Sequence, residues 1–238
     1  METHIAQSSR IKPLVAIKAL RRLIKDPEET EQVFVVIRAL SGKSLVKGCR
    51  RFAATETGRR VLAERRALLP SLQDRDALRA LPVGSLGRTY LDFVESEKIT
   101  ADGLVTASEN ETGVMDEDVR LFGERTRDQH DLWHTLTQYG RNPFGEACLL
   151  AFTYAQTRNR ALAVITLVGM VKLAAAMGPG VKSAIWQGYL DGRRAAWLPG
   201  EDWEARLGQP IEQVRAELGI AAPGKYQEVF QQYVALSH

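Results

Sequence analysis

Two histidines, His130 and His134, lie four residues apart in the segment His130-Asp131-Leu132-Trp133-His134, and Glu146 follows after a turn-rich stretch. The chain of 238 residues has four histidines, so half of them fall in this one segment. On an α-helix, positions i, i+3 and i+4 share a face, so His130, Asp131 and His134 can converge on one point. Two imidazoles with one or two carboxylates are the donor set of a zinc-type or non-haem iron-type centre. The spelling is H-D-x-x-H-x₁₁-E.

Each donor has an ordinary alternative. A histidine on an apolar face is commonly a satisfied core residue, Asp131 could be a surface acid, and Glu146 could simply complement a helix dipole. An H-x-x-x-H pair alone matches by chance too freely to carry a metal assignment. The combination with Asp131, Glu146 and few competing histidines favours a metal site. In H-E-x-x-H zinc proteases the inner glutamate is the general base, whereas Asp131 is shorter by one methylene and belongs with the ligands. An HD-type phosphohydrolase needs a further histidine well upstream, and only His4 is available. No P-loop, G-x-G-x-x-G or G-x-S-x-G occurs, so nucleotide binding and serine hydrolysis have no support.

The elements that must position these donors read as helices. Asp26-Pro27-Glu28-Glu29 opens one with Pro and acids in its first turn, and Gln32 to Leu40 continues it. Others are expected over 44–53, 57–66, 74–80, 86–97 and 100–109. A long helix over 116–138 would carry the histidine pair. Tyr139-Gly140-Arg141-Asn142-Pro143-Phe144-Gly145 is a turn by composition, and Glu146 then falls in the first turn of the next helical stretch, to about Ala176. Such a return lets Glu146 face the histidines, as facing helices do in metal-binding bundles. Helices over 180–197 and from Pro210 to before Gly219 complete the reading, with 219–238 as a short tail. Period-two alternation is absent, so the expected architecture is an all-α, single-domain helical bundle. Its parts are a basic amphipathic segment 1–25, a main domain 26–218 and the tail 219–238.

Composition sets the outer bounds. A hydrophobic fraction of 45% and a charged fraction of 26% suit a soluble globular chain, and a net charge of +3 is too small to argue for nucleic-acid binding. Cys49 and Cys148 form no C-x-x-C and suggest no disulfide framework. The first residues resemble neither a signal nor a transit peptide, so a cytoplasmic protein of bacterial type is expected. The apolar run Ala161 to Val171 is too short for a bilayer span and is expected to be a buried helix. Residues 13–25 carry Lys18, Arg21, Arg22 and Lys25 on a helix with an apolar face. That face could enter a membrane surface or dock on the core.

With these residues in view, the chain resembles the coenzyme Q (ubiquinone) biosynthesis proteins of the Coq-four family. The complete H-D-x-x-H-x₁₁-E of His130, Asp131, His134 and Glu146 carries the resemblance. Arg125-Thr126-Arg127-Asp128-Gln129, the Tyr139–Gly145 turn, Asp26–Glu31, Arg38–Gly42, Gly84–Gly87 and Arg193–Pro199 support it, over roughly residues 20–218. The resemblance implies an all-α fold, peripheral association with the inner face of the cell membrane, and a divalent metal held by those four residues. Zinc is the expected ion, and the donor set leaves iron(II) open. It further implies oxidative decarboxylation at ring C1 of a prenylated, hydroxybenzoate-derived precursor, or a scaffold or prenyl-lipid carrier role among other ubiquinone biosynthesis proteins. A homo-oligomer is compatible with the sequence. For the substrate, Arg141 and Arg158 are candidate anion holders. The stretches Leu149–Phe152 and Leu162–Val171 are candidate linings for the prenyl tail, with Phe152 foremost. Residues 219–238, with Tyr226 and Tyr233, have no assigned counterpart.

Overall fold

A computed structural model of the protein describes residues 11–25, 31–99 and 116–236. The chain opens with α1 (Pro13–Lys25), α2 (Glu31–Leu40), α3 (Ser44–Ala53) and α4 (Glu56–Ala63). Next come α5 (Leu69–Gln73), α6 (Arg75–Ala80) and α7 (Leu86–Ser96). The second half holds α8 (Glu117–Asp128), α9 (His130–Thr137), α10 (Pro143–Thr157), α11 (Arg160–Met177) and α12 (Gly180–Arg194). A 3₁₀ turn at Leu198–Gly200 leads to α13 (Trp203–Arg206), α14 (Ile211–Leu218) and α15 (Gly224–Leu236). Among the described residues there is no strand, only an isolated antiparallel bridge between Ser85 and Pro210. The all-α, single-domain expectation holds. The expected helix at 100–109 and the acidic start at 26–29 lie outside the described residues.

Helix α10 is the axis of the molecule and packs most extensively on α12. The two can approach closely because residues 188 and 192 are glycine. A Cβ at either would sit 2.7 Å from the Cys148 carbonyl oxygen or 2.6 Å from that of Phe152. Around this pair the main core gathers Tyr90 and Leu91 of α7, Leu132 and Trp133 of α9, Phe144 and Phe152 of α10, and Trp203 of α13. Phe52, Val61 and Phe122 form a second cluster joining α3, α4 and α8. Ala19, Val36, Ala161 and Ile165 form a third, joining α1, α2 and α11.

Several expectations need correction. The helix expected over 116–138 is two helices, because Gln129 leaves helical geometry at φ −80° and ψ 2°. Its buried amide donates to the Arg125 carbonyl and accepts from the indoles of Trp133 and Trp203, at 3.2 and 2.8 Å. The stretch to 176 likewise divides at Arg158, which caps α10 in the left-handed region at φ 54°, before Asn159 caps α11. The helix expected to reach Trp197 ends at Arg194. The apolar run in α11 is not a buried helix. Ala161, Leu162, Ile165 and Thr166 are buried, while Leu167 and Val171 are exposed on a side that no described element covers. By length and composition this one helix could cross a membrane. Finally, the tail is largely α15, which packs on α12 and α10.

Helix α1 answers the choice between core and surface with both faces. Ala16 and Ala19 are buried and the Lys12 amide donates to the Ala39 carbonyl at 2.8 Å, so its small-residue face docks on the fold. Leu14 and Ile17 point outward, with Lys18, Arg21 and Arg22 also exposed.

Candidate metal centre

Helix α9 is short and mostly buried, anchored by Leu132, Trp133 and Leu136 in the main core. On that anchored helix His134 is buried and His130 is partly exposed. Helix α9 ends at Gln138, in the left-handed region at φ 60°, whose amide returns to the His134 carbonyl. Arg215 of α14 donates from Nε and Nη2 to the last carbonyls, Leu136 and Thr135, both at 2.9 Å. A cation there satisfies orphan acceptors and complements the dipole.

The chain then reverses through Tyr139–Asn142. Asn142 caps α10, its Oδ1 accepting from the Phe144 and Gly145 amides at 3.1 and 3.0 Å. Pro143 takes the first helical position, where a missing N–H costs nothing. Glu146 follows in the first turn, where the helix dipole favours a carboxylate.

These elements bring His130, His134 and Glu146 together, one ligand atom from each lying within 4.8 Å of the others. The two Nε2 atoms are 3.2 Å apart, Glu146 Oε1 is 3.2 Å from His134 Nε2, and Oε2 is 3.6 Å from His130 Nε2. His134 is fully buried; His130 and Glu146 are partly exposed, so the group opens to solvent on one side. His134 Nδ1–H donates to the Tyr139 carbonyl at 2.9 Å. A neutral His134 therefore presents a bare Nε2 lone pair to a carboxylate oxygen. A cation between them, either a metal ion or a proton, makes that arrangement favourable, and His130 Nε2 faces the same lone pair at 3.2 Å. Burial pushes the Glu146 carboxyl up, but where the facing Nε2 atoms of His130 and His134 carry protons, their hydrogen bonds and attraction outweigh it and hold it well below the usual carboxylate range.

The remaining candidates divide. Asp131 is buried but lies outside the three-donor group, on the next face of α9. Its charge, after the larger effect of burial, pushes the phenol of Tyr90 up, and the Tyr90 hydroxyl is buried without a hydrogen-bond partner. Arg141 stands at the mouth of the site, Nε 4.0 Å from Glu146 Oε1. Arg158 is at the far end of α10, twelve residues or about 18 Å along the axis from Glu146. Phe152 is a core residue set edge-on to Trp133, with ring centroids 6.1 Å apart, and lines no opening. Sequence reasoning missed Phe93, whose ring stacks on His134 at 5.9 Å, and Tyr226, whose hydroxyl meets the turn. Phe93 falls on the apolar face of an expected helix and carried no distinguishing signal.

The fold and the site together define an all-α protein with a helix-borne His/His/Glu group that could hold a metal ion. The family model described as coenzyme Q (ubiquinone) biosynthesis protein Coq4 matches residues 1–224. A Danio rerio relative, "Ubiquinone biosynthesis protein COQ4 homolog, mitochondrial", is 30% identical over 232 residues, covering 93% of this chain and 80% of its own. Its Rattus norvegicus counterpart is 31% identical over 226 residues, covering 94% and 83%. The crystal structure of a Nostoc punctiforme protein superimposes with a TM-score of 0.68 at 21% identity, over 89% of this chain and 100% of that one. That likeness shows the fold. The chain belongs to the Coq4 family of ubiquinone biosynthesis proteins.

Proposed function

We propose that the protein binds a divalent metal ion, zinc first, through His130, His134 and Glu146, with Asp131 turning in as fourth ligand. At this site it would remove the C1 carboxylate of a prenylated, hydroxybenzoate-derived quinone precursor and leave a hydroxyl. The observation that supports the reading is the bare Nε2 of His134 held toward the Glu146 carboxylate at 3.2 Å. The donor spacings of 3.2, 3.2 and 3.6 Å also fit an ion. The edges of a tetrahedron with metal–ligand bonds of ~2.0–2.1 Å are about 3.3–3.4 Å. The carbonyl-held Nδ1–H is the outer-sphere contact that fixes a metal-binding tautomer.

When bound, the ion would act as a Lewis acid, withdrawing electron density from the ring as carbon dioxide leaves. The change from aryl carboxylate to phenol is a two-electron oxidation, with water supplying the oxygen and dioxygen taking the two electrons and two protons as hydrogen peroxide. Arg141 meets the carboxylate at the mouth and Phe93 keeps the His134 ring in place. The prenyl tail would lie toward the uncovered apolar side of the molecule, with Leu149–Phe152 serving as core instead.

The test is mass spectrometry of a carboxylated prenyl-hydroquinone precursor after aerobic incubation with metal-loaded or metal-stripped protein. Loss of carbon dioxide with gain of a ring hydroxyl, dependent on metal, is the expected result. Unchanged substrate with folded, loaded protein sinks the enzyme reading. It would favour a scaffold or lipid carrier, for which exposed Leu167, Val171 and Trp186 offer contact surface.

We also propose attachment to the inner face of the cell membrane. Leu14 and Ile17 of α1 would enter the headgroup boundary beside Lys18, Arg21 and Arg22. Deleting residues 1–25 should weaken sedimentation with anionic liposomes; equal binding rejects the anchor.

A further inference from the structure

We infer that Tyr226, on the C-terminal helix α15, is a positioning residue for the metal donors, its phenol oxygen clamping the turn that joins the two halves of the motif. The Tyr226 hydroxyl oxygen accepts from the Gly140 amide at 3.1 Å and from Asn142 Nδ2 at 2.8 Å. Both donors sit between ligands. Tyr139, next to Gly140, holds His134 Nδ1 through its carbonyl. Asn142 caps α10 and accepts from the Glu146 amide through its own carbonyl at 3.0 Å. One oxygen from a distant helix thus fixes the ends of the link that sets the distance from His134 to Glu146.

The surroundings are built for this contact. A Cβ at position 140 would fall 2.8 Å from the Tyr226 oxygen, so glycine there opens the approach. The Tyr226 ring is buried and wedged by Tyr139, Phe144 and Phe230, with centroids 5.4, 5.0 and 5.7 Å away. The ring is therefore held before any ligand arrives, and so is the turn. Tyr226 lies just past residue 224, where the family match ends, so the clamp is supplied from outside the matched stretch.

The inference rests on the metal reading, and the experiment separates the two. Purified full-length protein is titrated with Co²⁺, following the visible bands that report ligand geometry, with thermal melting measured alongside. Tyr226→Phe should weaken Co²⁺ binding about tenfold and shift the bands, because it loosens the turn that carries the Tyr139 carbonyl contact to His134. Tyr233→Phe, two turns further along the same helix, should keep the wild-type Co²⁺ affinity and bands. A purely structural role would lower the melting temperature and leave the bands of the loaded protein unchanged. Wild-type affinity and bands in Tyr226→Phe overturn the clamp alone. Should that variant not fold, Asn142→Ser keeps an oxygen cap but removes the amide donor to Tyr226, and the same titration decides. A wild-type protein that takes no Co²⁺ overturns both readings.

Discussion

Replacing Gly145 by alanine pits two effects of known size against each other. Gly145 is inside the first turn of α10 and has no positive φ, so helix propensity alone favours alanine by ~0.5–1 kcal/mol. Space says the opposite. The new Cβ would lie 2.0 Å from the Gly140 carbonyl oxygen, 2.7 Å from its carbon and 2.8 Å from its nitrogen. Ordinary contact begins near 3.4 Å, so the turn must retreat by about 1.4 Å, and backbone cannot swing aside as a side chain can. Overpacking of this kind costs ~1–3 kcal/mol or more. The steric term wins, for a net loss of about 2 kcal/mol, or roughly 4–8 °C in melting temperature for a chain of this size. The larger consequence is chemical. His134 is tied to one side of that contact through Tyr139, and Glu146 is the next residue on the other, so the retreat widens a spacing that now stands at 3.2 Å. Zinc affinity, measured by competition with a chromophoric chelator, should fall by at least tenfold while far-UV circular dichroism stays helical. A variant that melts at or above wild type with unchanged zinc affinity would refute the argument.

Zinc at one hundred times its dissociation constant should stabilise the folded protein by ~2.7 kcal/mol, and a chelator should reverse the shift. In His134→Ala a melting shift of wild-type size would count against these ligands. His130→Ala, altering a partly exposed donor, should abolish turnover while leaving fold and partner binding intact; lost assembly with retained turnover would instead identify a scaffold. Glu204→Ala strands Arg125, which is buried and bidentate with Glu204 at 2.6 and 2.9 Å, so urea denaturation should show a loss of ~3 kcal/mol or more. Burial pushes the Asp202 carboxyl up, but Arg66 and Arg60 outweigh it and hold it below the ordinary value. Its contribution to stability is therefore present above pH ~4 and lost on further acidification. Asp202→Asn should flatten that acid limb in a series of melting curves, and an unaltered limb would assign the loss to other carboxylates.

The grouping of His130, His134 and Glu146 was legible because helical geometry is periodic and local. An i, i+4 histidine pair needs no knowledge of the rest of the fold, and a Gly/Asn/Pro turn announces a reversal within a few residues. The same periodicity misled at Gln129. Nothing near it in sequence breaks a helix, and one of the bonds that hold its side chain comes from the indole of Trp203, 74 residues away. The apolar run of α11 shows the complementary failure. Hydrophobicity predicts burial only where another element arrives to cover it, and Leu167 and Val171 are left outside.

Asp131 marks the limit of spacing arguments at the site itself. Its place beside His130 qualifies it as a donor, yet adjacent helical positions diverge by about 100°. The side chain therefore lies outside the group formed by the other three. Tyr226 lies beyond the reach of such rules altogether. Its role comes from α15 folding back across α10 and α12, a contact 84 residues long in sequence from Tyr226 to Asn142. A site read from local spacing thus has its candidate ligands on two neighbouring helices and a brace on a third. If an ion binds, the ligands would set which ion is attractive and the brace how tightly it is held. Substitutions in α15 should accordingly alter metal affinity without touching a donor.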